Sequence, residues 1–173
     1  IEVGKTYTVT ELISHMILYS DNAASRLLAD SVEEKYLKEV FTDLGFNYPG
    51  NDTGDTMSVE NYALYFRILF NATYLNSDLS EQALNLLSKP AFSQGITAGV
   101  EPGLIVAHKF GERVAEESST ETVTQFHDCG IVYFPQHPYI LCVMSKGKSL
   151  DSLIEVTKEI SNKVYNFEKQ TYH

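Results

Sequence analysis

The chain has 173 residues, a net charge of −10 at neutral pH and a pI near 4.9. The net charge therefore argues against nucleic acids and anionic membrane surfaces as partners, because both bind positively charged protein surfaces. The hydrophobic share of 43% is ordinary for a chain that buries a core. No apolar run approaches the roughly 20 residues of a membrane span. The length predicts one domain or part of one.

The chain begins Ile1-Glu2-Val3-Gly4, without Met and without the charged start and apolar run of a signal peptide. We interpret it as a processed or trimmed piece. The five histidines show no ligand spacing, so neither a metal site nor a cofactor is predicted. Cys129 and Cys142 also lack metal-type spacing. Buried, unpaired thiols are the commoner case for such residues, and a disulfide across adjacent strands is the alternative.

Helix signals fill the first hundred residues. Thr8-x-x-Glu11 is a capping-box pattern, and the apolar residues that follow it recur at helical spacing until Leu18 or Tyr19. Between this helix and the next lies Ser20-Asp21-Asn22, a run of small polar residues that favour caps and turns. Ser20 or Asp21 can cap the second helix. Further helix starts are predicted at Ser31, at Thr56 or Ser58, and at Ser77 or Ser80.

The second part of the chain has strand character. Leu104–Phe110, Thr124–Phe134 and Tyr139–Met144 are predicted strands, and the short links between them favour antiparallel neighbours. We interpret the acidic link Glu112–Val123 as a solvated hairpin loop. Ser149–Lys169 is a predicted closing helix. The order of elements is typical of an α+β arrangement with a helical part over about 5–100 and a sheet-and-helix part over about 103–169.

Four features then occur in one order: Ser20-Asp21-Asn22 between two helices, Gly99-Val100-Glu101-Pro102 before the strand VAHKFGE, HDCGIVYFP before a third strand, and a closing helix. In order and context the chain resembles the class A β-lactamase and penicillin-recognising serine hydrolase family. That family carries S-x-x-K, S-D-N and K-T-G elements. Ser20-Asp21-Asn22 matches the second element, and Lys109-Phe110-Gly111 is similar to the third. The resemblance runs from about Gly4 to about Phe167.

The resemblance implies a β-lactamase/transpeptidase-like fold of which 1–173 is a single, partial domain. In the family the nucleophilic serine and its lysine precede S-D-N, and nothing before Ser20 supplies them here. The string Ser145-Lys146-Gly147-Lys148 follows the other motifs, and we interpret it as chance. Two family strands also precede S-D-N, so the third strand should lack a neighbour. We therefore expect an upstream segment of the same domain to complete the fold.

Two departures from the family pattern bear on the chemistry. Phe110 replaces a threonine whose hydroxyl helps to hold the substrate carboxylate in the family. The loop Phe46–Asp55 is short, and Thr42–Asn47 offers only Asp43 where class A enzymes place an Ω-loop glutamate that activates the deacylating water. Both departures shift the expectation from rapid β-lactam turnover towards slow deacylation.

The resemblance also implies a role for each motif residue. Ser20 relays a proton to the departing nitrogen, and Lys109 faces an anionic substrate group as its cationic anchor. Asn22 holds the side-chain amide of the substrate, while Asp21 caps the following helix. Phe110 and Gly111 lie along the strand that pairs with substrate, where glycine permits close approach. Simpler roles stay open: Ser20 as a plain cap, Asn22 as a turn former, Lys109 as a surface charge and Phe110 as a packing residue.

Three functions follow from these assignments. The first is a β-lactamase-like serine hydrolase that acts on β-lactams. The second is a related peptidase or esterase that acylates but deacylates slowly, or that prefers cell-wall peptides. The third is an inactive module that binds a peptide or another partner. Because the family works outside the cytoplasm, an exported or surface-anchored protein is expected.

Overall fold

The helices come first along the chain, and a three-stranded sheet with a long closing helix follows them. The computed structural model describes residues 1–46, 48, 57–118 and 121–172. The elements are α1 Val9–Tyr19, α2 Asn22–Asp30, α3 Glu34–Asp43, α4 Val59–Phe70, α5 Ser77–Leu87, a 3₁₀ turn Thr97–Gly99, β1 Val106–Ser118, β2 Glu121–Val132, β3 Tyr139–Gly147 and α6 Leu150–Tyr172. This order confirms the predicted α+β arrangement. None of the described helices is long and apolar enough to cross a membrane.

The turn between α1 and α2 uses its polar residues as caps. Thr8 and Glu11 form the predicted capping box at the start of α1. Ser20 ends that helix in the left-handed conformation, with φ 52° and ψ 38°, and its N–H donates to the carbonyl of His15. The Asp21 carboxylate then accepts from the backbone amides of the first turn of α2. One short run therefore closes one helix and opens the next.

Two predicted helix caps are wrong. Ser31 does not cap α3, because its hydroxyl donates to the carbonyl of Leu28 at 2.7 Å and closes α2 instead. Neither Ser77 nor Ser80 caps α5. Asn76 does so, since its side-chain oxygen accepts from the N–H of Leu79 at 2.9 Å. The Ser58 cap on α4 is confirmed, while Thr56 lies outside the described residues.

The sheet has the order β1-β2-β3, and both pairings are antiparallel. The interpretation of Glu112–Val123 as a hairpin loop is wrong, because β1 and β2 continue through it with Glu112 opposite Phe126. Val123 is buried, whereas the Glu112 side chain is exposed, as expected for strand residues with one packed and one solvent-facing side. Among the described strands, β3 pairs with β2 alone.

Both faces of the sheet are packed against helices. On the side of α4 and α5, a cluster of buried residues joins Phe66 and Leu87 to the sheet residues Ala107, Cys129 and Ile131. On the other side, Ile96, Val106 and Val132 form a second cluster. The side chains of β1 alternate between these two environments.

Two further features were left open by the sequence. Cys129 and Cys142, which face each other across β2 and β3, form a disulfide. The commoner alternative of two unpaired thiols is therefore wrong. Of the predicted loop at residues 46–55, Phe46 is buried and stacks on Tyr65 with ring centroids 4.5 Å apart. Residues 47 and 49–55 lie outside the described part of the chain.

The contact between α6 and the 3₁₀ turn depends on Gly99. A Cβ at this position would lie 2.5 Å from the carbonyl oxygen of Lys158 and from Cβ of Ser161. We expect Gly99→Ala to lower the free energy of unfolding by about 1–3 kcal/mol, because the helix must move away from the turn. Urea unfolding measures this loss. The matched control is Ala98→Ser, which adds one atom at the exposed neighbouring residue; equal effects of both changes would contradict the packing argument.

Candidate functional site

Ser20 and Lys109 meet although 89 residues separate them in the sequence. The Lys109 side chain lies on β1, and its Nζ donates a hydrogen bond to Oγ of Ser20. The same ammonium donates to the carbonyl oxygen of Phe110 at 3.0 Å. The hydroxyl of Ser20 accepts in this contact, so its own proton is free to point elsewhere. The structure thus brings together the two residues that were predicted to be catalytic.

Three contacts fix the position of this pair. The N–H of Ala91 donates to the carbonyl of Leu18 at 2.9 Å, which ties the segment after α5 to the end of α1. The hydroxyl of Tyr62 donates to the carbonyl of Lys109 at 2.8 Å and anchors β1 to α4. Burial raises the pKa of Tyr62, so this phenol stays a protonated donor. The third contact is made in the left-handed turn, where the N–H of Ser20 donates to the carbonyl of His15.

Burial lowers the pKa of Lys109, and the negative charge of Asp128 partly opposes this effect. Asp128 is fully buried and lies on the neighbouring strand β2, opposite Phe110. One of its oxygens lies 2.8 Å from Nδ1 of His108, and the other accepts from the N–H of Ile96 at 2.9 Å. The second ring nitrogen of His108 lies 3.1 Å from Oγ1 of Thr97. This network holds the residue that immediately precedes Lys109 and places a carboxylate close to the amine.

His127 is a residue of the site that the sequence did not indicate. Its ring lies directly over Gly111, where any Cβ would collide with Nε2 and Cε1. It packs edge-on against Tyr62, with ring centroids 5.4 Å apart. Both residues line a cavity of about 560 Å³ on the same face of the sheet as Lys109. The pairing of Gly111 with His127 depends on strand register, which no local motif reveals.

Phe110 points to the opposite face of β1. Its ring stacks on Phe92 with a centroid distance of 4.0 Å, and the fully buried Phe126 lies behind both rings. Nζ of Lys109 reaches around the strand edge to 4.8 Å from the centroid of the Phe110 ring. The packing role is therefore observed, and Phe110 still borders the Ser20–Lys109 contact.

The other motif residues lie on different sides of the turn. Asp21 caps α2 as predicted, because its carboxylate accepts from the amides of Ala23 and Ala24. Asn22 is exposed and lines a second cavity of about 560 Å³ with Arg26 and residues 1–5. Its substrate-binding role stays a prediction.

Ser145 and Lys146, from the chance S-x-x-K string, lie in β3 and line the cavity beside His127. The Ser145 hydroxyl donates to the carbonyl of Phe126 at 3.2 Å. It therefore takes part in the strand pairing of the sheet. Across the described residues, no group of three or more His, Cys, Asp or Glu side chains is placed to hold a metal ion.

Comparison with known protein families shows which family the chain belongs to. A family model described as the Beta-lactamase enzyme family matches residues 1–167. The chain belongs to this β-lactamase family. The resemblance stated from the S-D-N and K-x-G elements is thereby confirmed. No curated protein matches the chain.

Solved structures of the family share this fold. The chain superimposes on the structure of PBP-A with a TM-score of 0.75 and 21% identity, covering 98% of this chain and 64% of that one. The class A β-lactamase from Mycobacterium abscessus gives a TM-score of 0.74 and 22% identity, with 95% and 68% covered. The β-lactamase from Sphaerobacter thermophilus gives 0.75 and 18%, with 95% and 64% covered. The chain thus spans less than two thirds of the length of PBP-A.

The environment of His127 predicts a pH dependence of stability. Burial lowers the pKa of its imidazole below 6.5. The negative charge of Asp128 opposes this lowering, and the positive charge of Lys109 adds to it. Between the lowered pKa and 6.5 the unfolded chain binds more protons than the folded one, so the free energy of unfolding falls as the pH falls. His127→Gln should remove the part of this fall in unfolding free energy that is due to His127. Urea unfolding at a series of pH values measures the effect.

The control for this experiment is His137→Gln, at an exposed turn position. The difference in unfolding free energy between wild type and His127→Gln should change with pH below 6.5 and level off above it. A difference that is constant across the whole range would show that the imidazole does not resist protonation.

Proposed function

We propose that this chain provides the proton-relay and anchoring half of an acyl-transfer site in a serine hydrolase. The nucleophilic serine and its lysine are proposed to lie in an upstream segment of the same domain. The observation that carries the proposal is the hydrogen bond from Nζ of Lys109 to Oγ of Ser20. It joins the S-D-N turn to the K-x-G strand, as a shared site requires.

The geometry suits the relay of a proton. Because Oγ of Ser20 accepts from the ammonium of Lys109, its own hydrogen can be donated to a departing nitrogen. The ammonium offsets the negative charge that develops on the substrate during attack by the upstream serine. Burial and the left-handed turn hold both groups in place before substrate arrives. Asn22 and the backbone beside Gly111 are proposed to position the substrate.

The relatives support a β-lactam or a related amide as substrate. One of the matched structures is a PBP-A mutant described as an acyl-enzyme complex with penicillin G, at 21% identity and a TM-score of 0.74. Others are described as class A β-lactamases. For this chain we propose a small-molecule or cell-wall-peptide substrate and an exported or surface-anchored location. The disulfide between Cys129 and Cys142 favours an oxidising compartment.

A specific observation favours a second candidate within the same chemistry. Phe110, which replaces the hydroxyl-bearing family residue, is packed against Phe92. The loss of that hydroxyl weakens carboxylate binding and disfavours rapid β-lactam hydrolysis, which leaves a slowly reacting esterase-like or D,D-peptidase-like protein as the second candidate. An inactive binding module is the third candidate, favoured only if the upstream segment lacks its nucleophile.

Intact-mass spectrometry of the full-length protein after incubation with benzylpenicillin tests the proposal. We expect a covalent adduct of the whole penicillin on an upstream serine. Ser20→Ala and Lys109→Ala should each slow adduct formation by about 10²–10⁴-fold, the usual contribution of a positioned proton-transfer group. Ser152→Ala on the exposed part of α6 is the matched control and should leave the rate unchanged.

The fate of the penicillin separates the candidates. A lasting adduct indicates slow deacylation and the peptidase-like function. Consumption of penicillin without an accumulating adduct indicates a β-lactamase. Untouched penicillin with no adduct contradicts acylation by β-lactams and leaves a hydrolase of other substrates or a binding module.

A further inference from the structure

We propose that the stacked rings of Phe92 and Phe110 form a substrate subsite that takes an uncharged, apolar group next to the Ser20–Lys109 pair. In this protein they would select neutral acyl donors over donors that carry a carboxylate at this position. This inference rests on the proposed acyl-transfer function of the same site.

The two rings form a preorganised surface. They stack with centroids 4.0 Å apart and an interplanar angle of 24°. The fully buried Phe126 packs against both rings, with its ring centroid 6.0 Å from that of Phe92 and 6.5 Å from that of Phe110. Phe92 and Phe110 themselves are only half-buried, unlike Phe126 behind them. Stacked aromatic rings held by a buried third ring offer a rigid apolar contact to a ligand.

This surface borders the reacting groups. The centroid of the Phe110 ring lies 4.8 Å from Nζ of Lys109, which donates to Ser20. Phe92 follows Ala91, whose N–H is bonded to the carbonyl of Leu18 at the end of α1. Both aromatic rings are therefore fixed at the Ser20 side of the strand, where a substrate held by the pair would extend.

The charges around the rings disfavour an anion. On the face of β1 that carries Phe110, the neighbouring side chains are His108 and Glu112. His108 is buried and committed to Asp128 and Thr97. Glu112 is exposed and acidic, so it would repel a carboxylate laid along the strand. The ammonium of Lys109, which lies beside the Phe110 ring, already donates to Ser20 and to a backbone carbonyl.

A neutral substrate group is not repelled by Glu112 and does not compete for the ammonium of Lys109. It can contact the two half-buried rings and remove apolar surface from water, while the ammonium of Lys109 stays on Ser20. A carboxylate would have to draw the ammonium away from Ser20 and would find no hydroxyl at position 110. The subsite thus links substrate selection to the proton relay.

The test compares benzylpenicillin with its methyl ester on the full-length protein, measuring both equilibrium binding and the rate of acylation. The wild-type protein should prefer the methyl ester by at least about tenfold in both measurements. Phe110→Thr restores a hydroxyl and opens the stack. It should shift the ratio towards benzylpenicillin by at least about tenfold, the effect of one hydrogen bond to a charged group.

Two further variants make the result decisive. Phe167→Thr, at an exposed position of α6, is the matched control and should leave the ratio unchanged. Phe92→Thr removes the other ring without touching the strand and should weaken the preference for the ester even if Phe110→Thr fails to fold. Preference of the wild type for benzylpenicillin, or a ratio that neither ring variant alters, would overturn the inference.

The two proposals fail in different ways. In one outcome, the wild type binds the methyl ester preferentially, the ring variants lose this preference, and neither compound acylates the protein. This outcome would contradict the acyl-transfer function and support the subsite. Acylation by both compounds with equal binding would keep the function and sink the subsite. If the protein binds neither compound, the subsite is overturned as well.

Discussion

The buried carboxylate of Asp128 is the interaction on which the arrangement of the site depends. It joins three parts of the chain, since it lies on β2, bonds to His108 on β1 and accepts the N–H of Ile96. A buried carboxylate is tolerated only when such partners are in place. Gly95 has φ +59° and leaves no room for a Cβ beside this oxygen, so the incoming segment is shaped to the carboxylate.

The network explains why Lys109 and Phe110 stand where they do. His108 fixes the strand just before Lys109, and the segment before Ile96 carries Phe92 to the ring of Phe110. Because strand side chains alternate, the ammonium and the ring start on opposite faces of β1. They come together again because β1 lies at an edge of the described sheet, and the long lysine side chain can bend around that edge. One strand edge thus combines a cation, a hydroxyl partner and an aromatic surface.

The sequence predicted the parts of this fold that local physics controls. The capping box at Thr8, the end of α1 and the cap by Asp21 each depend on hydrogen bonds within a few residues. The wrong predictions concern segments whose local sequence is compatible with two different structures. Ser31 has the composition of a helix start but satisfies the end of α2. The stretch Glu112–Val123 is polar, yet Glu112–Glu116 pair residue by residue with Thr122–Phe126. Polar composition alone does not show such pairing, because strand formation depends on the neighbouring strand.

Ordered motifs sufficed to indicate the family, because S-D-N on a helix break and K-x-G on a strand are short, local patterns. The tertiary structure alone decided which side chains share a site. The approach of Lys109 to Ser20, the seat of His127 over Gly111 and the stacking of Phe92 on Phe110 all join distant segments. Such contacts follow from strand register and helix packing, which are set by burial of the whole core rather than by neighbours in sequence.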